Sequence, residues 1–551
     1  MQKVSANWTD AHKRTLLNES FVEVTLEITD PDALADATSQ DNGAIYISDS
    51  SLLTNGDYEP TPYCTLEQNL WCLDGNRKAI PESDYGNNCF VSDAMSDDTC
   101  LFSAKLPCIT IGFTKEFTKL LPGVTITWSE TYGEFADTFS VVAYKGDTVV
   151  AETEVTGNRS VRSLVFVEIS GYDRIEVIVK RWCLPNHRAR VEDIFIGAQK
   201  IYGKSSLFSY SHTQSVMPVS LELPKNEIKF SIDNSDGEYN PQNTGGIAKY
   251  LNERQEVKAR YGLKMDDGSV EWIKGGTFYL SEWYAKQNGI TADFTARDML
   301  EFMSDTFYDT EFEADKAGVL SNGRTFGHLA ELVLTSANLP GHTEETPKWV
   351  IHESLFAADC ISKAPLPKDT HANCLQLIAN AAMCALYQDR DGVLHIEPFS
   401  FNNNPTIPFE PNYFITPFNS YTKAELTLAK SNKMIGVKSY TYTLGGDGSV
   451  NEDSHTHYHV HSSVGETIVV DNPLVTDGKR AQDIEWWLYN YYFRWRKSID
   501  TSWRGDVRLD ALDFVAHENA YSTDRVLMTE VAYTYNGAFR ATGKGKVIAD
   551  G

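Results

Sequence analysis

The sequence of 551 residues lacks the features that define several common protein classes. Its N-terminal segment, MQKVSANWTDAHKRTLLNES, is polar and has no apolar stretch of the kind that a secretory signal needs. No apolar run approaches about 18 residues, the length at which a membrane-spanning helix is indicated. Lys and Arg number 49 against 76 Asp and Glu, a net charge of −27. Because binding to phosphates and to anionic membranes depends on Lys and Arg, we expect no stable nucleic-acid binding. The absence of a long apolar run leads us to expect no membrane segment.

Enzyme and metal-ribbon signatures are also missing. The sequence has no GxSxG, HExxH, P-loop or GxGxxG motif. None of the nine cysteines forms a CxxC pair, which excludes zinc-ribbon and thioredoxin-like sites, and reduced thiols are the default in a cytoplasm. We therefore predict that the protein is not an enzyme. A glycosidase carboxylate pair leaves no spacing signature in a sequence, so a cell-wall hydrolase stays as an alternative.

What the sequence does contain is a series of short strands between residues 227 and 300. Apolar residues at Ile228, Phe230 and Ile232 alternate with polar ones and predict a half-buried strand that runs into a turn at 234–237. Asp-Asp-Gly and Asn-Gly turns separate the strands that follow. These are predicted at Val257–Tyr261, Val270–Ile273, Thr277–Trp283 and Ile290–Ala296. The segment predicts a small antiparallel β-barrel, followed by a helix that begins near Arg297.

Two further segments are predicted to belong to this barrel or to interrupt it. Residues 1–35 include the alternating strand Phe21–Ile28, which we expect to pair with the barrel strands of 201–304. Between them, residues 58–200 contain short strands at regular spacing with Gly, Asp and Asn turns, a pattern typical of a β-sandwich. The sandwich is therefore predicted to be an insertion in the first barrel.

The second half of the chain changes its periodicity twice. Apolar residues at helical spacing in 305–404 predict a small α/β domain. Residues 405–551 combine strands with a helix over 479–497 and predict a second barrel. The predicted fold class is therefore mainly β with α+β parts: two barrels, an inserted β-sandwich and a small α/β domain.

Several of these segments, in this order, resemble a known family. The run EIKFSIDNSDGEYNPQN, the helix 479–497, the run RGDVRLDALDFV and the segment MTEVAYTYNGAF are similar to the tube-like barrels of bacteriophage tail hub (baseplate hub) proteins from the Gram-positive branch of that family. The sandwich segment, which ends in RWCLPNHRARVEDIFIG, resembles the galactose-binding-like sandwiches inserted in such proteins. The likeness covers most of the chain through diffuse motifs rather than one signature.

The resemblance implies a structural role at the tail tip or baseplate of a virion, after assembly in the host bacterial cytoplasm. It implies a homotrimer whose two barrels per chain form a pseudo-hexameric ring. That ring would join the tail tube or distal tail protein to a central spike or fibre, contact the tape measure protein and gate DNA passage. A hub of a tailocin or contractile injection particle would look alike. Lytic hubs usually carry an added C-terminal domain, and we expect none because the sequence stops after the last barrel strands.

A carbohydrate-binding adsorption protein that recognises the host cell wall is the leading alternative from another class. Trp71, Tyr85, Trp128 and Tyr132 of the sandwich segment are candidate stacking platforms for a sugar, and Trp71 and Trp128 are the two that we assign. Most such aromatic residues pack in a core or an interface, which is the interpretation that we favour.

The last candidate site is a run of alternating histidines, His455, His457, His459 and His461. Alternate residues of a strand share a face at a spacing of about 7 Å, so four imidazoles are expected to lie in a row. Imidazole is the commonest metal ligand, which makes this strand the one candidate metal site in a protein expected to have no other cofactor. The alternative, which we favour, is a β-hairpin arm whose histidines make polar or pH-sensitive contacts at a subunit interface, because tetrahedral sites usually use tighter loop spacing.

Overall fold

A computed structural model describes most of the chain, and two compact units are distinguished. Unit 1 comprises Met1–Thr25, Ile201–Leu339 and Pro347–Gly551, and unit 2 comprises Leu26–Lys200 and Pro340–Thr346. The described residues are 2–547 without 15–17, 55–61, 68, 72–76, 80–88, 218–221, 252–253, 286–288, 340, 344–345, 400–412, 416–422, 429–431, 461–464, 490, 493–496 and 519–520.

Helices are few and short. The α-helices are α1 (Ala6–Lys13), α2 (Pro31–Asp36), α3 (Thr310–Ala314), α4 (Lys316–Asn322), α5 (Phe326–Ala337), α6 (His371–Ala381) and α7 (Gly478–Tyr489). Short 3-10 helices lie at Ser50–Thr54, Ile247–Tyr250, Met299–Ser304 and Glu353–Phe356. Within the described ranges, no helix is long and apolar enough to cross a bilayer.

Strands make up most of the regular structure. In the first part of the chain they are β1 (Ser20–Thr29), β2 (Thr38–Asp41), β3 (Tyr63–Cys64), β4 (Lys78–Ala79), β5 (Phe90–Met95), β6 (Cys108–Phe117), β7 (Leu121–Thr127), β8 (Ala136–Lys145), β9 (Thr148–Val155), β10 (Arg162–Ile169), β11 (Tyr172–Trp182), β12 (Arg188–Val191), β13 (Asp193–Phe195) and β14 (Gly197–Tyr202). The middle part has β15 (Leu207–Ser215), β16 (Lys225–Asp233), β17 (Glu256–Lys264), β18 (Val270–Ala285), β19 (Thr291–Arg297), β20 (Arg324–Thr325), β21 (Trp349–Ile351), β22 (Ile361–Ser362), β23 (Cys384–Gln388) and β24 (Leu394–Pro398). The last part has β25 (Tyr413–Ile415), β26 (Lys423–Leu428), β27 (Asn432–Leu444), β28 (Val450–Val460), β29 (Glu466–Val470), β30 (Lys497–Trp503), β31 (Phe514–Glu518), β32 (Thr523–Tyr535) and β33 (Phe539–Val547). The mainly β fold class predicted from the sequence, with small helical parts, is confirmed.

Two larger sheets of unit 2 contribute to one core, and the pairs β12-β5 and β3-β4 are smaller additions. A five-stranded sheet has the order β2-β6-β11-β8-β9, and a three-stranded sheet has the order β10-β7-β13. Alternate residues of both sheets are buried together, including Ile111 of β6, Val177 of β11 and Ile126 of β7. Trp128 and Trp182 lie at the centre of this core with their rings 6.1 Å apart.

The central feature of unit 1 is one continuous antiparallel sheet. Its strands follow the order β17-β18-β19-β16-β15-β32-β33-β30-β26, and β1 pairs with β17. The step from β15 to β32 runs in unbroken register from Tyr210 opposite Tyr535 to Ser215 opposite Glu530. Strands from the 201–304 segment and from the 405–551 segment therefore share backbone hydrogen bonds across more than 300 residues of sequence.

One predicted boundary inside this sheet is wrong. The two strands predicted at Val270–Ile273 and Thr277–Trp283 form the single strand β18, with an irregularity opposite Ala259. Gly275 lies at that irregularity, where a Cβ atom would come within 2.8 Å of the Tyr261 ring. Two consecutive glycines in a strand mark a bulge here and not a turn. The helix predicted after Arg297 is a 3-10 helix of six residues.

Three helices of unit 1 pack together around one apolar core. Phe326 and Leu329 of α5, Leu375 and Ile378 of α6, and Ile484 of α7 are fully or almost fully buried in one apolar cluster. Thr325 and Thr370 start α5 and α6 by accepting hydrogen bonds from backbone N–H groups of the first turn. The small sheet β21-β24-β23 has β21 between α5 and α6 and its other two strands after α6, and the turn between β23 and β24 leads to the site described next.

Candidate functional site

The turn between β23 and β24 places Arg390 where three chain segments of unit 1 meet. Its Nε donates to Asp510 Oδ1 at 2.8 Å, and its Nη1 donates to the Lys274 carbonyl of β18 at 2.7 Å. Its Nη2 donates to the carbonyls of Val507 at 2.8 Å and Leu509 at 3.2 Å. We call these five residues the Arg390 junction. One side chain thus joins the α/β segment to a strand of the first predicted barrel and a loop of the second.

The Arg390 junction is buried and remains charged. Arg390 is only 8% exposed. Burial alone would lower the pKa of its guanidinium, but Asp510 together with Tyr261 and Tyr533 outweighs burial and raises that pKa. A charge buried in this way is stable only when its hydrogen bonds are satisfied. Each of the three guanidinium nitrogens of Arg390 donates to at least one of the acceptors described above. The junction is therefore suited to holding segments together and offers no unpaired group for chemistry.

A chain of buried polar side chains runs beside the junction inside the sheet. Tyr210 donates to the Tyr261 hydroxyl at 2.8 Å, and Tyr261 donates to Nδ1 of His212 at 2.9 Å. Nε2 of His212 donates to Oδ1 of Asn226 at 2.8 Å. Burial lowers the pKa of His212 to about 4, so the imidazole is neutral at pH 7. The hydrogen bonds among these four residues fix β15 against β16 and β17.

The N-terminal segment is tied to the same part of unit 1. Trp8 of α1 is buried at 2% exposure, and the backbone N–H of Gln2 donates to the Arg508 carbonyl at 2.9 Å. His12 Nε2 lies 3.2 Å from Asp506 Oδ2, and the Arg508 guanidinium pairs with the same carboxylate at 2.6 Å. Burial lowers the pKa of His12, although Asp506 opposes that shift. Contacts to loop residues 504–510 therefore fix the N-terminus.

The predicted histidine row is present on β28 as far as the strand is described. His455 and His457 have ring centroids 4.8 Å apart, and His457 Nε2 lies 2.9 Å from the Ser439 hydroxyl of β27. His459 Nδ1 lies 3.2 Å from the buried Glu485 carboxylate of α7. His461 lies outside the described residues. Among those that are described, no group of three or more His, Cys, Asp or Glu side chains is arranged to hold a metal ion, so metal binding at this row stays a prediction.

The two tryptophans predicted to bind carbohydrate occupy different environments. Trp128 has an exposure of 0%, and its indole N–H donates to the Ser163 hydroxyl at 2.9 Å. Its ring packs on Phe139 at 4.8 Å, so neither face is open to a sugar and the stacking role assigned to Trp128 does not fit this structure. Trp71 is 57% exposed and keeps a free surface. Tyr132 is half-buried with its hydroxyl on the Tyr63 backbone, and Tyr85 lies outside the described part of the chain.

A buried ionic cluster in unit 2 holds the segment that carries Trp71. Arg190 donates to Glu67 Oε1 at 2.6 Å and lies 3.6 Å from Glu134 Oε2. His187 Nδ1 lies 2.9 Å from Glu134 Oε1, and the Trp182 indole donates to that carboxylate at 2.8 Å. Burial would raise the pKa of Glu67, but Arg190 outweighs it and the pKa is lowered. Glu67 is therefore held as a buried carboxylate that anchors its loop.

Neither the Arg390 junction nor the ionic cluster was predicted from the sequence. Arg390 stands in the acidic turn Asp389-Arg390-Asp391-Gly392, where a solvated hairpin turn is the simplest interpretation. Arg190 stands between an arginine and a glutamate in RARVE, which is equally consistent with an exposed strand end. The one available signal was an isolated basic residue in an acidic turn, and its partner Asp510 is 120 positions away.

Comparison with known proteins gives structural neighbours but no sequence family. No protein-family model matches the chain, and curated proteins give no significant match. Phage tail and baseplate proteins recur among the solved structures that resemble it. The 43 kDa tail protein of prophage MuSo2 from Shewanella oneidensis has 12% identity and a TM-score of 0.40, with 63% of this chain and 95% of that chain covered. Prophage tail protein gp18 from Listeria monocytogenes EGD-e has 12% identity and a TM-score of 0.35, with 63% and 91% covered.

A third neighbour matches a shorter part of the chain. Chitosan-binding module 1 of a chitosanase/glucanase from Paenibacillus sp. IK-5 has 10% identity and a TM-score of 0.20, with 31% of this chain and 98% of that module covered. All these TM-scores are below 0.5, so the neighbours do not by themselves establish a shared fold or function.

Proposed function

We propose that this chain is a structural hub protein of a phage tail or baseplate. The observation that carries the proposal is the continuous sheet of unit 1, in which β15 pairs directly with β32. A ring subunit needs its two barrel segments held in one fixed arrangement, and shared backbone hydrogen bonds provide that rigidity. The Arg390 junction adds a second connection between the same segments. The resemblance of the sequence to tail hub proteins supports the same role.

In this role the chain works by symmetry matching and needs no catalysis. Three copies would place six barrel segments around an axis, joining a sixfold tail tube or distal tail protein to a threefold spike or fibre. The tape measure protein would end at this ring, and DNA would pass through it on ejection. The net charge of −27 suits a channel that must not retain the phosphate backbone. A basic lumen in an assembled ring would contradict this part of the proposal.

Electron microscopy of assembled particles tests the location. We expect a tag on this chain to appear at the tail tip, and particles assembled without the chain to have no closed tip. A tag on the tail shaft or capsid, or normal tips without the chain, would refute the proposal. Particles without a head would assign the chain to a tailocin or contractile injection particle instead.

A second candidate function, binding of cell-wall carbohydrate by unit 2, is favoured by the exposure of Trp71. Two described residues near Trp71 are held in place: Glu67 pairs with Arg190, and the Leu70 carbonyl accepts from Arg77 at 3.1 Å. An aromatic ring held on an anchored loop is a suitable stacking surface for a sugar. Purified full-length protein should then bind cell-wall glycan, and Trp71→Ala should abolish that binding.

The matched control is Trp486→Ala, which removes another exposed tryptophan (53%) from unit 1. Equal binding by wild type and Trp71→Ala would remove this candidate. Muralytic activity that is lost on a single carboxylate substitution would instead establish the hydrolase alternative.

A further inference from the structure

A cavity of about 310 Å³ lies in unit 1 beside the Arg390 junction. Strands β15, β16 and β18 contribute to its walls, together with the turn after β23 and loop residues 510–513. Pockets that bind small ligands begin at about 300 Å³. Since a water molecule occupies roughly 30 Å³ of liquid, the space is larger than one or two structural waters require.

Two amide side chains line this cavity with their donors unused. Gln214 of β15 and Asn226 of β16 are directly opposite in register, so their side chains lie next to each other on one face. Oε1 of Gln214 accepts from the Ala511 N–H at 2.8 Å, and Oδ1 of Asn226 accepts from His212. Both oxygens are therefore fixed, while neither amide nitrogen has a partner in the described part of the chain.

The position of Gln214 makes its unused donor relevant to the cavity. Gln214 lines the cavity and is 8% exposed as a residue, and its amide nitrogen is not sealed inside the protein. An N–H donor in this position gains a hydrogen bond when an acceptor enters the cavity. An acceptor atom inside the cavity would satisfy both amide groups at once.

The same cavity presents fixed acceptors. Asp389 Oδ2 pairs with His395 at 2.9 Å, and Glu397 Oε1 accepts from the Tyr387 hydroxyl at 2.6 Å. Each carboxylate has lone pairs left after these contacts. Amide donors and carboxylate acceptors in one space match hydroxyl groups, which donate and accept. A bare metal ion is disfavoured, because the described side chains contain no suitable ligand group here.

We propose that this cavity binds a small neutral molecule with neighbouring hydroxyl groups, a polyol or a monosaccharide. Gln214 and Asn226 donate to its oxygens, and the carboxylates of Asp389 and Glu397 accept from its hydroxyls. The ligand contacts strands of the first predicted barrel, the α/β turn and the loop before β31, so it stabilises the connection between them. This site is separate from Trp71 and does not depend on the proposed tail function.

Isothermal titration calorimetry of the full-length protein tests the proposal. The probes are glycerol, glucose, galactose and N-acetylglucosamine, with calcium chloride as the cation probe. Gln214→Glu and Asn226→Asp keep the shape and the accepting oxygen of each side chain but remove its donor. Asn451→Asp, at an exposed asparagine of β28, is the matched control for the added charge.

We expect at least one hydroxylated probe to bind with one site per chain. Each donor-removing variant should weaken that binding at least tenfold, while Asn451→Asp should leave it within twofold. The proposal is wrong if none of the four compounds binds, if only calcium binds, or if both donor-removing variants bind as tightly as the wild type. Should Gln214→Glu fail to fold, Asn226→Asp alone decides.

Discussion

Replacing Arg390 tests whether one side chain stabilises the connection between the segments of unit 1. Arg390→Ala removes four hydrogen bonds and leaves Asp510 and three carbonyl groups without their shared donor. Breaking a buried ion pair from one side costs about 3–5 kcal/mol. Arg390→Lys keeps the charge but cannot reproduce the planar set of guanidinium donors, so we expect the free energy of unfolding to fall by about 2 kcal/mol. Arg540→Lys, on the exposed side of β33, should change stability by less than about 0.5 kcal/mol.

Urea unfolding followed by hydrogen-exchange mass spectrometry resolves the effect by segment. The free energy of unfolding is expected to fall by about 3 kcal/mol per molar urea. Arg390→Ala should therefore lower the urea concentration at half unfolding by about 1 M or more for peptides of β15, β18 and β32. Peptides of β7 and β11 belong to the separate core of unit 2 and should keep their midpoint. A midpoint in unit 1 that Arg390→Ala leaves unchanged would refute the role assigned to the junction.

Three further predictions concern buried groups. The pKa of His212 is about 4 in the folded state and about 6.5 in the unfolded state, so the neutral imidazole stabilises the fold fully above pH 6.5. The free energy of unfolding should fall by roughly 3 kcal/mol as the pH drops from 6.5 to 4. His212→Gln should remove this dependence when the free energy of unfolding is measured against pH. Trp128→Ala should cost unit 2 about 3–5 kcal/mol in calorimetry, whereas Trp71→Ala should stay within about 0.5 kcal/mol, and equal losses would contradict their different burial. Glu67→Gln leaves Arg190 with a weakened partner and should lower unit 2 stability by about 3 kcal/mol, an effect that an unchanged melting temperature would disprove.

Local patterns in the sequence predicted individual elements well. The alternation around Phe230 corresponds to β16, and the strand predicted at Phe21–Ile28 is β1, one residue longer at each end. These predictions work because a strand with one buried face needs apolar residues at every second position. The merging of two predicted strands into β18 shows the limit, since a glycine pair has the same signature in a bulge and in a turn.

The groups that join segments could not be predicted in the same way. Arg390 and Asp510 are 120 positions apart, and Glu67 and Arg190 are 123 apart. Charged residues in turns are usually solvated, and only the tertiary structure shows which of them are buried. The same applies to Trp128, because an aromatic residue at the end of a strand has the same sequence pattern in a core and at a binding surface.

The mass of the purified protein in solution tests the central claim most directly. A hub built as proposed should assemble into a closed ring of three chains, so native mass spectrometry should give three times the chain mass of 61.7 kDa. The trimer should persist at moderate ionic strength. A stable monomer at micromolar concentration, which also fails to join assembling tails, would contradict the account.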